Sequence, residues 1–290
     1  MRTGCFLLVL VLALLIALPC FADDTQAYRP VADYDKKQEG VAYYKLEAKS
    51  YFSKTCGKIR DVLVYLPPEY NPDAAYPVLY LLHGIGGNHL EWTGGVPDVI
   101  LGNLLAAGEA KEMIVVTPNI KAFPAGTPSS GNMYSPETFA AFDNFINDLR
   151  DDLMPFIKEN YSVLEGRENT AVAGLSMGGR EALYIGLSMQ DTFGYVGAFA
   201  PAPGVLPYFA EGGLFTEESF RLEEQYETFV MIVAGTTDTT VGEWPKTYSD
   251  TLMKNGSAHV FYETQGGHNF FVWKNGLYNF ARNIFGMKAE

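Results

Sequence analysis

Residues 171–183 read AVAGLSMGGREAL. An apolar run stops at Leu175, one serine follows, and glycines then lead into residues that favour a helix. Ala171–Leu175 has the character of a strand buried on both faces, and Gly178–Met189 that of a helix packed on it. Ser176 is then either a small residue in a tight turn or the exposed tip of a strand–turn–helix elbow. The pentad Gly174–Gly178, GLSMG, matches G-x-S-x-G, the pattern of such an elbow. That chemistry needs a sharp turn with flanking side chains removed, a hydroxyl held outward, and the following N–H at a helix N-terminus where negative charge is favoured.

The chain around this stretch repeats the same alternation. YYKLEAKSYF and KIRDVLVYLP read as two strands about the Thr55–Gly57 turn. YPVLYLLHG, EMIVVTPN, TAVAGLS, YVGAFAPAPG, FVMIVAGTTD and HVFYETQGGH are continuous apolar strands. Helical patterns lie between them at residues 96–109, 135–161, 178–189 and 245–256, and a last one covers 272–285. The second reads as one long helix, with Ser135 as N-cap, Pro136 at its first position and an apolar stripe of Phe139, Phe142, Phe145, Ile146 and Leu149. Strands alternating with helices through short connections predict a doubly wound α/β domain with a mostly parallel sheet and helices on both faces. We read residues 41–290 as that domain and 23–40 as a polar, irregular lead-in. The Pro-, Gly- and Ser-rich stretch 118–136 is long enough to be a functional loop.

Residues 1–22 have the form of a signal peptide: Arg2, an apolar core Phe6–Leu18, and small residues at Cys20 and Ala22. Pro19 sits poorly before a lipidated cysteine. Export is therefore the expectation, to a periplasm or the outside of the cell, with no membrane association once the leader is removed. Cys56 is then the only cysteine remaining, so no intramolecular disulfide can form, and its position in a turn without a nearby histidine suits a buried thiol. With 290 residues, 48% of them hydrophobic and 19% charged, the chain can bury a large core. Its net charge of −13, without a basic cluster, argues against nucleic acid as a partner.

A serine nucleophile needs a base, and there are four histidines: His83, His89, His259 and His268. In this type of fold the chain order is Ser, then Asp or Glu, then His. His259 opens a strand, whereas His268 lies in a glycine loop after that strand, at the sheet edge where catalytic loops gather. His268 is the expected base. Asp238, just past the strand Phe229–Ala234, is the expected orienting carboxylate; Glu243 is a substitute farther from the strand end, and Asp250 falls within a helix. The loop LLHGIGGN follows the first central strand and suits a second oxyanion donor. Ile85 N–H and Met177 N–H are the expected pair. His83 precedes the serine and suits a loop-holding role, and His89 either touches substrate or is solvated. Histidines in a glycine loop are poor evidence for a metal site, and none is expected.

Taken together, LLHGIGGNHLEW, VVTPN, GLSMGGREAL, AGTTD and GGHNFFVWKNGLYNF resemble the esterases of carbohydrate esterase family 1, in particular the feruloyl esterase domains of bacterial xylanases. The resemblance covers roughly residues 40–286. It implies an α/β-hydrolase fold, a serine esterase mechanism without metal or organic cofactor, and the roles given above for Ser176, Asp238, His268, Ile85 and Met177. One departure is that such sequences often read Gly-His-Asp where this chain has Gly267-His268-Asn269. No xylanase or carbohydrate-binding module is read here, so the expectation is a single-domain enzyme. The implied substrate is feruloylated or acetylated xylan. Aromatic residues in the loops, Trp92, Phe123, Tyr134, Tyr208, Phe209, Trp244, Phe270 and Phe271, suit a slot for a hydroxycinnamoyl ring, with Trp92, Tyr134, Trp244 and Phe270 as the leading candidates. Alternatives are an acetyl xylan esterase, an acyltransferase, and a non-catalytic carbohydrate-binding protein of the same fold.

Overall fold

A computed structural model describes residues 27–128, 131–208 and 212–287. The expected signal peptide, Phe209 and part of the 118–136 loop lie outside these residues. The described residues form one eight-stranded sheet. In chain order the strands are β1 (Lys45–Ser53), β2 (Lys58–Leu66), β3 (Val78–Leu82), β4 (Ile114–Pro118), β5 (Thr170–Leu175), β6 (Tyr195–Phe199), β7 (Phe229–Gly235) and β8 (Val260–Thr264). Their spatial order is β1-β2-β4-β3-β5-β6-β7-β8. The β1–β2 and β2–β4 pairs are antiparallel and all others parallel. This is the mixed, mostly parallel sheet that the strand pattern predicts.

β3, β4 and β5 are buried at every position. They are the continuous apolar runs of the sequence, and helices cover both of their faces. The helices are α1 (Pro97–Ala106), α2 (Pro136–Asp143), α3 (Phe145–Asp148), α4 (Met154–Asn160), α5 (Met177–Ser188), α6 (Trp244–Lys254) and α7 (Phe270–Ala281). α5 lies on one face of β6: a Cβ on its Gly186 would meet the Val196 side chain. α7 lies on the other face, with Phe280 against Gly197. Among the described residues no helix is long and apolar enough to cross a membrane.

The single helix expected over 135–161 is instead α2, α3, a π-helical turn at Leu149–Leu153, and α4. Its start is as expected: Ser135 Oγ accepts the Thr138 N–H at 3.2 Å and Pro136 opens the helix. The break follows from Pro155, which has no N–H to give and crowds the preceding turn, so the chain widens to a π turn just before it. The stripe still faces inward, with Phe142, Phe145 and Leu149 fully buried and Phe139 half-buried.

Residues 27–40 carry no strand or helix, yet they are fastened to β8 and α7. Tyr28 stacks on Tyr262 at 4.1 Å, Tyr34 packs edge-on to Tyr278, and Asn275 and Asn279 donate to the Tyr28 carbonyl. The boundary drawn at residue 40 therefore does not mark a change in packing.

Candidate active site

The parallel strands β3, β5, β6, β7 and β8 all end on the same edge, and the loops that leave them meet there. Ser176 follows β5 directly, with φ 52° and ψ −116°. A non-glycine residue in this region costs on the order of 1–3 kcal/mol and persists only where its surroundings fix it. Here the Ser176 N–H donates to Phe199 O, and its own carbonyl accepts from Arg180 N and Ala202 N, each at 3.0 Å. The glycines of the pentad have steric reasons. A Cβ on Gly174 would lie 2.4 Å from the Gly178 backbone, and one on Gly178 would lie 2.4 Å from Leu82 O. Without them α5 cannot press against the end of β3.

The Ser176 hydroxyl donates to His268 Nε2 at 2.7 Å, and His268 Nδ1–H donates to Asp238 Oδ2 at 2.7 Å. This places the proton of the neutral imidazole on Nδ1 and the free lone pair toward the serine. Asp238 is held by its other oxygen, which accepts from Thr240 N at 2.9 Å and Val241 N at 3.3 Å. The two loops are joined as well, since Thr237 N donates to Gly266 O at 3.0 Å. Trp273 stands perpendicular to the His268 ring at 5.2 Å. Such a chain of hydroxyl, imidazole and carboxylate can lower the cost of removing the serine proton and hold the resulting imidazolium.

The other acids and histidines lie elsewhere. Asp250 pairs with Lys246 on the exposed side of α6, and Glu243 is exposed at its start. His259 is held between Ser249 Oγ and the Ser257 carbonyl, with its pKa lowered by burial. His89 is half-buried, and its carbonyl accepts from Thr117 Oγ1.

Two N–H groups border the serine. Met177 opens α5, so its N–H has no acceptor within the helix and adds to the positive end of the helix dipole. Gly84 approaches from the end of β3: a Cβ there would lie 3.5 Å from Ser176 Cβ and 2.9 Å from Leu175 Cδ1. Ile85 is the next residue along. The intervening peptide is fixed by its carbonyl, which accepts from His83 Nδ1–H at 2.6 Å and Gly87 N at 3.1 Å. Because the peptide is planar and trans, holding that carbonyl also fixes the opposite direction of the Ile85 N–H. His83 is fully buried, and Nε2 accepts the Ile120 N–H at 2.9 Å, which leaves the proton on Nδ1. Burial pushes its pKa down to about 4, so it stays neutral at ordinary pH. It holds the loop and has no contact that suits a base.

Comparison with known proteins fits this geometry. The family model described as "Putative esterase" matches residues 53–283. The chain belongs to that family. A CE1 ferulic acid esterase from Anaeromyces mucronatus, solved in complex with ferulic acid, is 40% identical, with a TM-score of 0.84 over 89% of this chain and 97% of that one. The endo-1,4-beta-xylanase/feruloyl esterase of Xylanibacter ruminicola is 27% identical over 276 residues, which are 93% of this chain. This chain spans only 34% of that protein's length. The acetyl esterase of Caldicellulosiruptor saccharolyticus is 25% identical over 248 residues, 81% of this chain and 85% of its own. The chain is thus a carboxylic ester hydrolase with an α/β-hydrolase fold.

The described aromatic residues of this esterase fall into three groups. Trp92, expected to line a substrate slot, is 1% exposed and donates Nε1–H to Leu82 O at 2.9 Å. It is a pillar under the loop after β3, and that expectation is corrected. Phe123 is buried too. Phe270 is half-buried with its ring edge-on to Trp92 and Trp273. Trp244 and Tyr208 are half-buried and meet edge to face at 5.2 Å. Tyr134 and Phe271 are the open ones, at 67% and 68% exposure.

Two residues carry functions that the sequence reading did not assign. Glu91 Oε2 accepts the Gly84 N–H at 2.6 Å. Asn269, where related sequences often have Asp, caps α7 by accepting the Phe271 N–H at 2.9 Å. Asn and Asp cap about equally well, so the departure leaves the cap intact and removes one charge beside His268.

Proposed function

We propose that this esterase uses Ser176 as nucleophile, His268 as general base and acid, Asp238 as the carboxylate that orients it, and the N–H groups of Ile85 and Met177 as oxyanion donors. The hydrogen-bonded chain from Ser176 through His268 to Asp238, on a strained elbow, carries the reading. His268 takes the hydroxyl proton as Ser176 Oγ attacks the ester carbonyl. The two N–H groups stabilise the tetrahedral oxyanion; each such donor is commonly worth about 3 kcal/mol in the transition state. His268 then gives the proton to the leaving alcohol, and water repeats the cycle to release the acid from the acyl-enzyme.

The substrate we assign is a hydroxycinnamoyl ester on plant cell-wall polysaccharide, with ferulate as the acid released. Similarity to a ferulic acid esterase over nearly the whole of both chains supports this, as does the Trp244–Tyr208 pair at the same edge of the sheet. Deacetylation is the second reading, supported by the similarity to an acetyl esterase. Export through residues 1–22 fits either polymer substrate. The test offers methyl ferulate and an acetylated xylo-oligosaccharide side by side to residues 23–290. Ferulate release should dominate, and Ser176→Ala should lower kcat by roughly 10⁵-fold or more. Acetate without ferulate moves the enzyme to the second reading. Turnover unchanged in Ser176→Ala overturns the mechanism.

A further inference from the structure

The loop that presents Ile85 is rich in glycine. Gly84, Gly86 and Gly87 surround it, and glycine backbones lose the most conformational freedom on being fixed. Preorganised donors lower a barrier because they need no reorganisation when charge develops. Something other than side-chain sterics must therefore hold this loop, and the peptides on the two sides of Gly84 are each held differently. The one after it is fixed through its carbonyl by His83 and Gly87. The one before it is fixed through its N–H by Glu91 Oε2.

Glu91 also fits the loop sterically. A Cβ on Gly87 would lie 2.2 Å from Glu91 Oε2, so the carboxylate fills the concave side of the turn. Its own backbone is set by a short helical turn, Glu91–Gly95, whose Trp92 is pinned to Leu82 O. The Glu91 N–H donates to Asn88 O at 3.0 Å, which closes the loop back on itself. The carboxylate is half-buried and bonded to an N–H of the very loop that must welcome an oxyanion. A negative charge there opposes oxyanion formation, so its use is as a hydrogen-bond acceptor.

We infer that Glu91 is a positioning residue for the oxyanion hole: its carboxylate oxygen clamps Gly84 N–H so that Ile85 N–H faces the site of charge development. The inference rests on the assignment of Ile85 as an oxyanion donor. It predicts that an amide at residue 91 keeps the clamp, since an amide oxygen accepts the same bond, and removes the adverse charge.

The experiment compares wild type, Glu91→Gln and Glu91→Ala by steady-state kinetics on methyl ferulate and by hydrogen exchange of the peptide covering residues 83–88. Glu91→Ala should exchange at least tenfold faster there, with kcat down 10- to 100-fold and KM within threefold. Glu91→Gln should match wild type in exchange and keep kcat within threefold of it or above. Unchanged exchange in Glu91→Ala overturns the clamp whatever the kinetics do. Faster exchange with unchanged kcat overturns its link to the oxyanion hole. A loss of thermal stability with kcat and KM both impaired in Glu91→Gln makes the residue merely structural and also overturns it. If wild type shows no Ser176-dependent hydrolysis, the esterase mechanism fails on its own terms, and the link to catalysis falls with it. The exchange arm then still decides the clamp.

Discussion

His83 should make this protein lose stability in mild acid, by an amount that can be worked out. Its imidazole is buried and neutral, with a pKa of about 4 in the folded state against 6.5 for an ordinary histidine. The unfolded chain therefore binds a proton between pH 6.5 and 4 that the folded chain refuses. The folded pKa is the lower one, so the stabilising contribution is full above pH 6.5 and is lost as pH falls toward 4. At 1.36 kcal/mol per pKa unit the whole window is worth about 3 kcal/mol, and about 2.5 kcal/mol of it is gone by pH 4.5. Other groups titrate in the same range. Burial lowers the His259 pKa in the same sense, and burial raises that of Glu181 in the opposite sense. The wild-type curve alone is thus a sum. The assay is denaturant unfolding at pH 7.5 and 4.5 for wild type and for His83→Asn, which cannot titrate. The wild type should lose about 2.5 kcal/mol more than the variant between the two conditions. Parallel losses, or an NMR titration of the His83 ring with a midpoint above pH 5.5, would refute the picture of a neutral imidazole locked between Ile120 N–H and Gly84 O.

Gly178→Ala should both destabilise and slow the enzyme. The new methyl lands 2.4 Å from Leu82 O and 2.5 Å from His83 O, backbone atoms that cannot swing aside. Overpacking of this kind costs about 1–3 kcal/mol. Displacing the start of α5 by even 1 Å should lower kcat by roughly 100-fold, and wild-type melting and turnover would show the clash to be absent. Trp92→Phe should behave as a stability variant. It leaves Leu82 O without its donor at a cost of about 1–3 kcal/mol, visible in denaturant unfolding, while KM for a ferulate ester stays within twofold. A raised KM at unchanged stability would return Trp92 to the substrate slot.

All eight strands are legible in the sequence: six are apolar runs that end on a turn residue or a polar one, and the more polar β1 is marked with β2 by the turn at Thr55–Gly57 that joins them. The failures have particular causes. Between 135 and 161 the apolar stripe has helical spacing throughout and gives no sign of the break; Pro155 gives the sign, and it acts one turn upstream of itself. Trp92 sits in a glycine-rich loop, where an aromatic residue reads as ligand contact. Its indole N–H instead found the carbonyl at the end of β3, ten residues back in the chain. Arg180 lies in GGREAL, where nothing in the residue types marks it as buried. In the fold it is 5% exposed and paired with Asp143 and with Glu181, its neighbour in sequence. For Trp92 and Arg180 the deciding partner is a backbone atom or is distant in the chain, which residue types do not reveal.

The candidate site was more legible than the loops around it, and the sheet register explains why. β3 and β5 run parallel with Leu82 opposite Gly174. Two residues further along each strand, the same register brings Gly84 level with Ser176, as their close approach shows. On the other side Leu175 pairs with Phe199, so the Ser176 N–H falls on the Phe199 carbonyl. β7 and β8 follow in the same direction and end within a few residues of Asp238 and His268. A parallel sheet thus converts a one-dimensional fact, that a serine, an aspartate and a histidine each come just after an apolar run, into a three-dimensional one. What it does not convert is the direction of a single peptide. That is set by His83 and, in the clamp we propose, by Glu91, side chains whose spacing from Ser176 follows no period.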